Sequence, residues 1–245
     1  MKGKLYGVSV GPGDPELLTL KAKRTIEECE AIAYPVRVTG ARSVALDIIK
    51  EVVDISKKHV QELVFQMSPD KAVRTSNYND AMDELTSLLD RGYNVCMITL
   101  GDATVYSTFM RVGKDIEEKG YEMEVIPGVP SFCEGAAKAK IPLAIGTEGL
   151  AVVSASEGAD LFCTALDEID NVVIMKAYAS MERISEKIDS LGKAADVYVV
   201  SNLGLEDQYI GPLVKNRKYG YFTTVIVKKK RTNKKTSATI AYLGE

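Results

Sequence analysis

An apolar run, Leu5 to Val10, ends at Gly11-Pro12-Gly13-Asp14-Pro15, and the residues that follow, to Glu28, carry apolar side chains at helical spacing. Few features restrict a fold more. A buried strand that turns through glycines into a helix is how α/β proteins build a ligand site at the carboxyl edge of a sheet. Gly11 and Gly13 permit backbone angles that other residues resist, and they let a ligand approach the main chain. Asp14 is placed to cap the helix, with Pro15 at its first position, where no N–H is needed.

The same grammar recurs. A near-continuous apolar run, Asn94 to Leu100, stops at Gly101-Asp102, and a helical pattern covers Val105 to Lys119. Tyr121 to Ile126 then reads as a strand that ends at Pro127-Gly128-Val129-Pro130-Ser131. A helix at Ser43 to Glu51, a strand at Gln61 to Phe65 and a helix at Ser76 to Arg91 fill the interval. Strands alternating with helices predict a mostly parallel sheet, and its carboxyl edge gathers the three Gly/Pro loops. Beyond Ser131 the strands are Ala151–Ser154, Asn171–Met175, Asp196–Val200, Tyr221–Lys229 and Ser237–Tyr242. Helices at Ser131–Ala139, Ala159–Leu166 and Met181–Leu191 separate only some of them. The last two strands flank the polar tip Lys230–Lys235 as an antiparallel hairpin, so the second sheet is mixed. Two α/β domains are expected, residues 1–120 with the mostly parallel sheet and 121–245 with the mixed one.

Composition removes several classes of function. The 245 residues carry a net charge of −3, which argues against nucleic acid as a partner. No apolar run is long enough to span a membrane, and the start lacks the features of a signal peptide, so a cytoplasmic setting is expected. Cys29, Cys96, Cys133 and Cys163 are far apart, so no metal site is expected from them. The single histidine, His59, sits in a charged stretch with no nucleophile nearby in sequence. The first loop also fails as a nucleotide site. Glu16 stands where a dinucleotide fingerprint needs its third glycine, and Tyr34-Pro35 replaces the ribose-binding acid. No Gly-Lys-Ser/Thr follows to make a phosphate loop.

Gly11-Pro12-Gly13-Asp14-Pro15-Glu16-Leu17-Leu18-Thr19-Leu20-Lys21 resembles the opening signature of the tetrapyrrole methylase family. Leu100-Gly101-Asp102 resembles that family's central G-D-P loop, and Pro127-Gly128-Val129-Pro130-Ser131 resembles its P-G-[VI]-x-[ST] motif. The match holds in order and spacing over essentially the whole chain. Tyr34-Pro35, Tyr106-Ser107-Thr108-Phe109, Ser131-Phe132 and Leu150 to Ala155 resemble the branch that methylates C-20 of precorrin-2 or cobalt-factor II in cobalamin synthesis. Ala103 departs from the pattern, standing where the G-D-P loop has proline. Since proline stiffens a loop but supplies no side-chain chemistry, altered cofactor binding with retained activity is expected.

The resemblance implies S-adenosylmethionine as methyl donor, held in the cleft between the two domains, a tetrapyrrole substrate and a homodimer. It places Pro12, Gly101, Asp102, Ala103, Tyr106, Ser131 and Phe132 against the cofactor from the first half, and Met175 and Gly204 from the second. Plainer readings stand beside these. Met175 lies in an apolar strand and suits a core, Gly204 suits a turn, and Asp102 suits bonding within its own loop. Methyl transfer needs alignment and a dry site more than strong acids or bases. A carboxylate, Asp102, is the candidate to accept the proton that the methylated carbon must lose, with bound water as the other. Arg37, Arg42 and Lys176, next to strand ends, are candidates for binding the carboxylate arms of the ring. A uroporphyrinogen III or other corrin-pathway methyltransferase of different regiochemistry is the alternative, and a non-catalytic tetrapyrrole-binding protein lies further off.

Overall fold

The computed structural model describes residues 2–156, 158 and 160–230. Its first sheet contains β1 (Lys4–Ser9), β2 (Ala31–Val36), β3 (His59–Val64), β4 (Val95–Thr99) and β5 (Glu122–Ile126). All five are parallel, in the order β3-β2-β4-β1-β5. The helices α1 (Leu20–Glu28), α2 (Val44–Lys50), α3 (Lys71–Asp90) and α4 (Phe109–Glu118) make the crossovers. Alternate residues of each strand face opposite sides. Val8, Ile32 and Ile98 pack with Ile26 and Ile49 of α1 and α2, while Leu5 and Met97 pack with Leu85 and Phe109 of α3 and α4. A sheet covered on both sides favours apolar residues at nearly every position, which is why β4 reads as a near-continuous apolar run. A Cβ on Gly7 would fall 2.1–2.4 Å from the Phe109 ring, so α4 can approach β1 only because residue 7 has no side chain.

The second sheet contains β6 (Leu150–Ser154), β7 (Asn171–Met175), β8 (Ala195–Ser201), β9 (Tyr209–Pro212) and β10 (Thr223–Lys229), in the order β6-β7-β10-β8-β9. Only β6 and β7 run parallel, so the sheet is mixed, as expected. On one face α5 (Ser131–Ala139) packs Phe132 and Ala136 against Val200 and Ile226. On the other, α6 (Leu161–Glu168) and α7 (Met181–Leu191) pack Phe162, Leu166 and Ile184 against Val172, Ile174 and Val225.

Several details differ from the sequence reading, each for a local reason. β5 begins beyond residue 120 yet pairs with β1, so the chain changes sheets between Ile126 and Leu150. Asp14 caps a separate 3-10 turn, Pro15–Leu17, by accepting from the Glu16 N–H, and Thr19 caps α1 itself through the Ala22 N–H. α3 starts at Lys71, earlier than Ser76, where Asp70 caps it by accepting from the Ala72 N–H; its first turns bury nothing and so show no apolar period in the sequence. α4 starts at Phe109 rather than Val105, since Tyr106 adopts φ +49°, which no continuous right-handed helix accommodates. β9, a short edge strand ending in Pro212, gave no strand signal. The expected strand Ser237–Tyr242 and the hairpin tip from residue 231 onward lie outside the described residues.

Candidate functional site

The strand order puts β4, β1 and β5 side by side, so the three Gly/Pro loops leave the carboxyl edge as neighbours. Main-chain and side-chain bonds lace them together. Gly11 and Gly101 exchange N–H···O bonds of 3.2 and 2.7 Å. The Ala103 N–H donates to the buried Ser9 hydroxyl at 2.8 Å. Asp102, 8% exposed, accepts from the Gly128 N–H at 2.7 Å on one oxygen, and from the Thr104 N–H at 2.8 Å and the Thr104 hydroxyl on the other. Burial alone would push the Asp102 carboxyl up, but the Gly128 and Thr104 donors outweigh it and hold the group below the usual carboxylate range. A Cβ on Gly128 would lie 2.5 Å from Ser9 Cβ, so the third loop crosses the end of β1 as bare backbone.

A pocket opens between these loops and the second sheet. Pro12, Gly101, Asp102, Val105, Tyr106 and Ser131 form its first-sheet wall. Opposite stand Met175, Lys176, Val200, Leu203 and the stretch Tyr221–Thr224. The floor is open at Gly101, with φ +74°, where a Cβ would find Ser131 N, at 3.9 Å, as its nearest non-adjacent neighbour. The rim is aromatic and basic. Tyr106, Tyr178, Tyr221 and Phe222 are all exposed, and Tyr221 stacks edge-on to Phe222 with ring centres 5.0 Å apart. The Arg37 guanidinium sits 3.6 Å from the centre of the Tyr221 ring, and the Lys176 ammonium 5.9 Å from that of Tyr106. Among the described residues neither cation forms a salt bridge. Burial, and after it the charge of Arg37, moves the Lys176 pKa down. Lys176 and Tyr106 both hold positive φ, +55° and +49°, conformations that side-chain-bearing residues keep only where the surroundings impose them.

Pro12, Gly101, Asp102, Tyr106, Ser131, Met175 and Lys176 thus come together from the sequence reading. Other positions sit elsewhere. Ala103 is fully buried behind the wall, and Phe132 packs into the α5 core with Val200 and Leu203. Gly204 presses against Gly13. Arg42 pairs with Asp47 at 2.6 Å and does not line the pocket. The sequence reading missed Ser9 and Thr104, which brace the loops, and the Tyr221–Thr224 wall. An aromatic pair just ahead of an apolar strand was the available signal for the latter.

The sequence profile of the tetrapyrrole (corrin/porphyrin) methylases matches residues 4–214. The chain belongs to this family. This methylase is 36% identical over 197 residues to a probable cobalt-precorrin-2 C(20)-methyltransferase of Methanocaldococcus jannaschii, with 80% of each chain covered. It is 33% identical to the cobalt-precorrin-2 C(20)-methyltransferase of Salmonella typhimurium, over 94% of this chain and 98% of the relative. A uroporphyrin-III C-methyltransferase from Thermus thermophilus, solved with S-adenosylhomocysteine, shares the fold at 21% identity and a TM-score of 0.66, covering 92% of this methylase and 97% of that chain. Among the described residues of the methylase, no helix is long and apolar enough to cross a membrane.

Proposed function

We propose that this methylase transfers a methyl group from S-adenosylmethionine to C-20 of precorrin-2 in its cobalt-bearing form, a step of cobalamin synthesis. The carrying observation is the pocket itself, walled by the three strand-end loops on one side and by Met175, Lys176 and Tyr221–Thr224 on the other. The names of the two relatives support the substrate and the carbon, and the S-adenosylhomocysteine bound to the Thermus enzyme supports the donor.

The residues fit the donor. Gly101 leaves space for a ligand against the backbone, while Met175, Val105, Val200 and Leu203 give apolar surface for an adenosyl group. S-adenosylmethionine, when bound, supplies a methyl group activated on a sulfonium. The chain's part is to align it with the ring carbon and to keep water out. Pro12, Ser131 and Tyr106 hold the donor from the first sheet. The exposed faces of Tyr221 and Phe222 meet the macrocycle, and Arg37 and Lys176, free of carboxylate partners among the described residues, take its acidic arms. Asp102 braces the loops. With both oxygens engaged and its pKa lowered, it keeps its charge and its bonds, and the proton of the methylated carbon leaves to bound water. The family resemblance supports a homodimer, which sedimentation velocity would read, and the cytoplasmic setting is carried over from the sequence as an expectation.

The test is incubation of the protein and donor with precorrin-2 and with its cobalt-bearing counterpart. Mass spectrometry is expected to show one methyl gained, fastest on the cobalt-bearing ring, and NMR to place it on C-20. A methyl on another carbon refutes the assignment, and no methyl on either ring refutes the enzyme.

A further inference from the structure

Gly13 lies in the loop after β1, beside the pocket residue Pro12. Gly204 lies in the loop after β8, between the pocket residues Leu203 and Leu205. The two glycines meet. A Cβ on Gly204 would stand 2.6 Å from Gly13 Cα, 2.8 Å from its carbonyl carbon and 3.0 Å from its oxygen. A Cβ on Gly13 would stand 2.5 Å from the Leu203 oxygen and 2.9 Å from Gly204 Cα. Every one of these atoms is backbone, so no side chain can swing aside to make room. The loops that carry opposite walls of the pocket therefore touch main chain to main chain.

We propose that the Gly13–Gly204 contact is the spacer of the pocket, fixing the distance between the wall at Pro12 and the wall at Leu203–Leu205 so that both reach the methyl donor at once. Gly204 is in this sense a positioning residue, acting through its neighbours and not through a bond to the ligand. The proposal rests on the reading of this pocket as the donor site. One added methyl group forces the two loops apart by about 1 Å, the gap between the distances above and ordinary van der Waals contact. A displacement of that size is enough to spoil a preorganised site.

Alanine at residue 204 also meets a backbone penalty, since Gly204 has φ +71°. Gly120 separates the two effects. It has φ +81°, a Cβ there would meet nothing within 4 Å, and it lies in the turn before β5, at the edge of the sheet away from the pocket. The experiment is calorimetric binding of S-adenosylhomocysteine, with thermal melts, on the wild type, Gly120→Ala, Gly204→Ala and Gly13→Ala. Gly120→Ala is expected to lower the melting temperature and leave the affinity alone. Gly204→Ala and Gly13→Ala are expected to weaken binding at least about tenfold. The double variant is expected to be little worse than the worse single one, because the loops are already parted. A folded Gly204→Ala protein that binds within about twofold of wild type overturns the proposal, as does a loss of affinity equal to that of Gly120→Ala. If neither contact variant folds, the contact serves folding and the positioning role is overturned. Failure of the wild type to bind S-adenosylhomocysteine would instead overturn the donor-site reading.

Discussion

Replacing Ala103 by proline restores the residue that the family's G-D-P loop carries, and the structure predicts that the change is harmful here. The Ala103 N–H donates at 2.8 Å to Ser9 Oγ, and both residues are wholly buried. Proline has no N–H to give. A net hydrogen bond is worth ~0.5–1.5 kcal/mol, and a buried partner left unpaired costs ~1–3 kcal/mol. Against this, proline stiffens the unfolded chain and returns ~0.4–1 kcal/mol. The balance is a loss of ~1–2 kcal/mol, or about 3–6 °C in melting temperature for a chain of this size. Ser9→Ala should cost a similar amount, because it strands the Ala103 N–H. The decisive measurement is the double-mutant cycle by thermal or urea unfolding. Once either partner has gone, removing the other loses no further bond, so the two costs should overlap by ~1 kcal/mol. Costs that add to within ~0.5 kcal/mol would show that the bond contributes nothing and refute the reasoning. Donor affinity should move little in either variant, since Ala103 lies behind the pocket wall.

Asp102→Asn keeps the shape but offers one acceptor oxygen for donors that now use two, and a loss of ~1–3 kcal/mol is expected in thermal melts near neutrality. Because the folded pKa of Asp102 is depressed, its contribution is complete above the unfolded value and fades as pH falls through the folded one, so the gap to Asp102→Asn should narrow below about pH 4. The charge of Lys176 acts the other way on stability. Its pKa is lowered in the fold, so at neutral pH the charge costs stability, and Lys176→Met should melt no lower than wild type while raising KM for the ring, as steady-state kinetics would read. Gly7→Ala drives a methyl group into the Phe109 ring and should cost ~1–3 kcal/mol, part of which Phe109→Leu in the same chain should return, as denaturant titration would show.

What the sequence makes legible is whatever one strand, one turn and one helix decide among themselves. β7, α5 and α7 begin and end where their apolar spacing says, and the three Gly/Pro loops stand at the ends of three strands because each loop is written locally. The pairing β4-β1-β5 then brings them together, and six of the nine expected donor contacts line one pocket. The misses need information from two distant places at once. Ser9 is an ordinary strand residue until Ala103 is known to point its N–H there, and Asp102 is a free carboxylate until Gly128 comes within reach. Arg42 looked equivalent to Arg37, yet one finds Asp47 in the helix that follows it and the other finds Tyr221 across the cleft. Gly204 makes the same point from the other side. A glycine after a strand reads as a turn, or by resemblance as a ligand contact, whereas its need for no side chain comes from Gly13, in the loop that opened the chain. Glycines 11 and 13 therefore answer different demands. Gly11 bridges to Gly101 and ties the first wall together, and Gly13 abuts the second wall and keeps it at its distance.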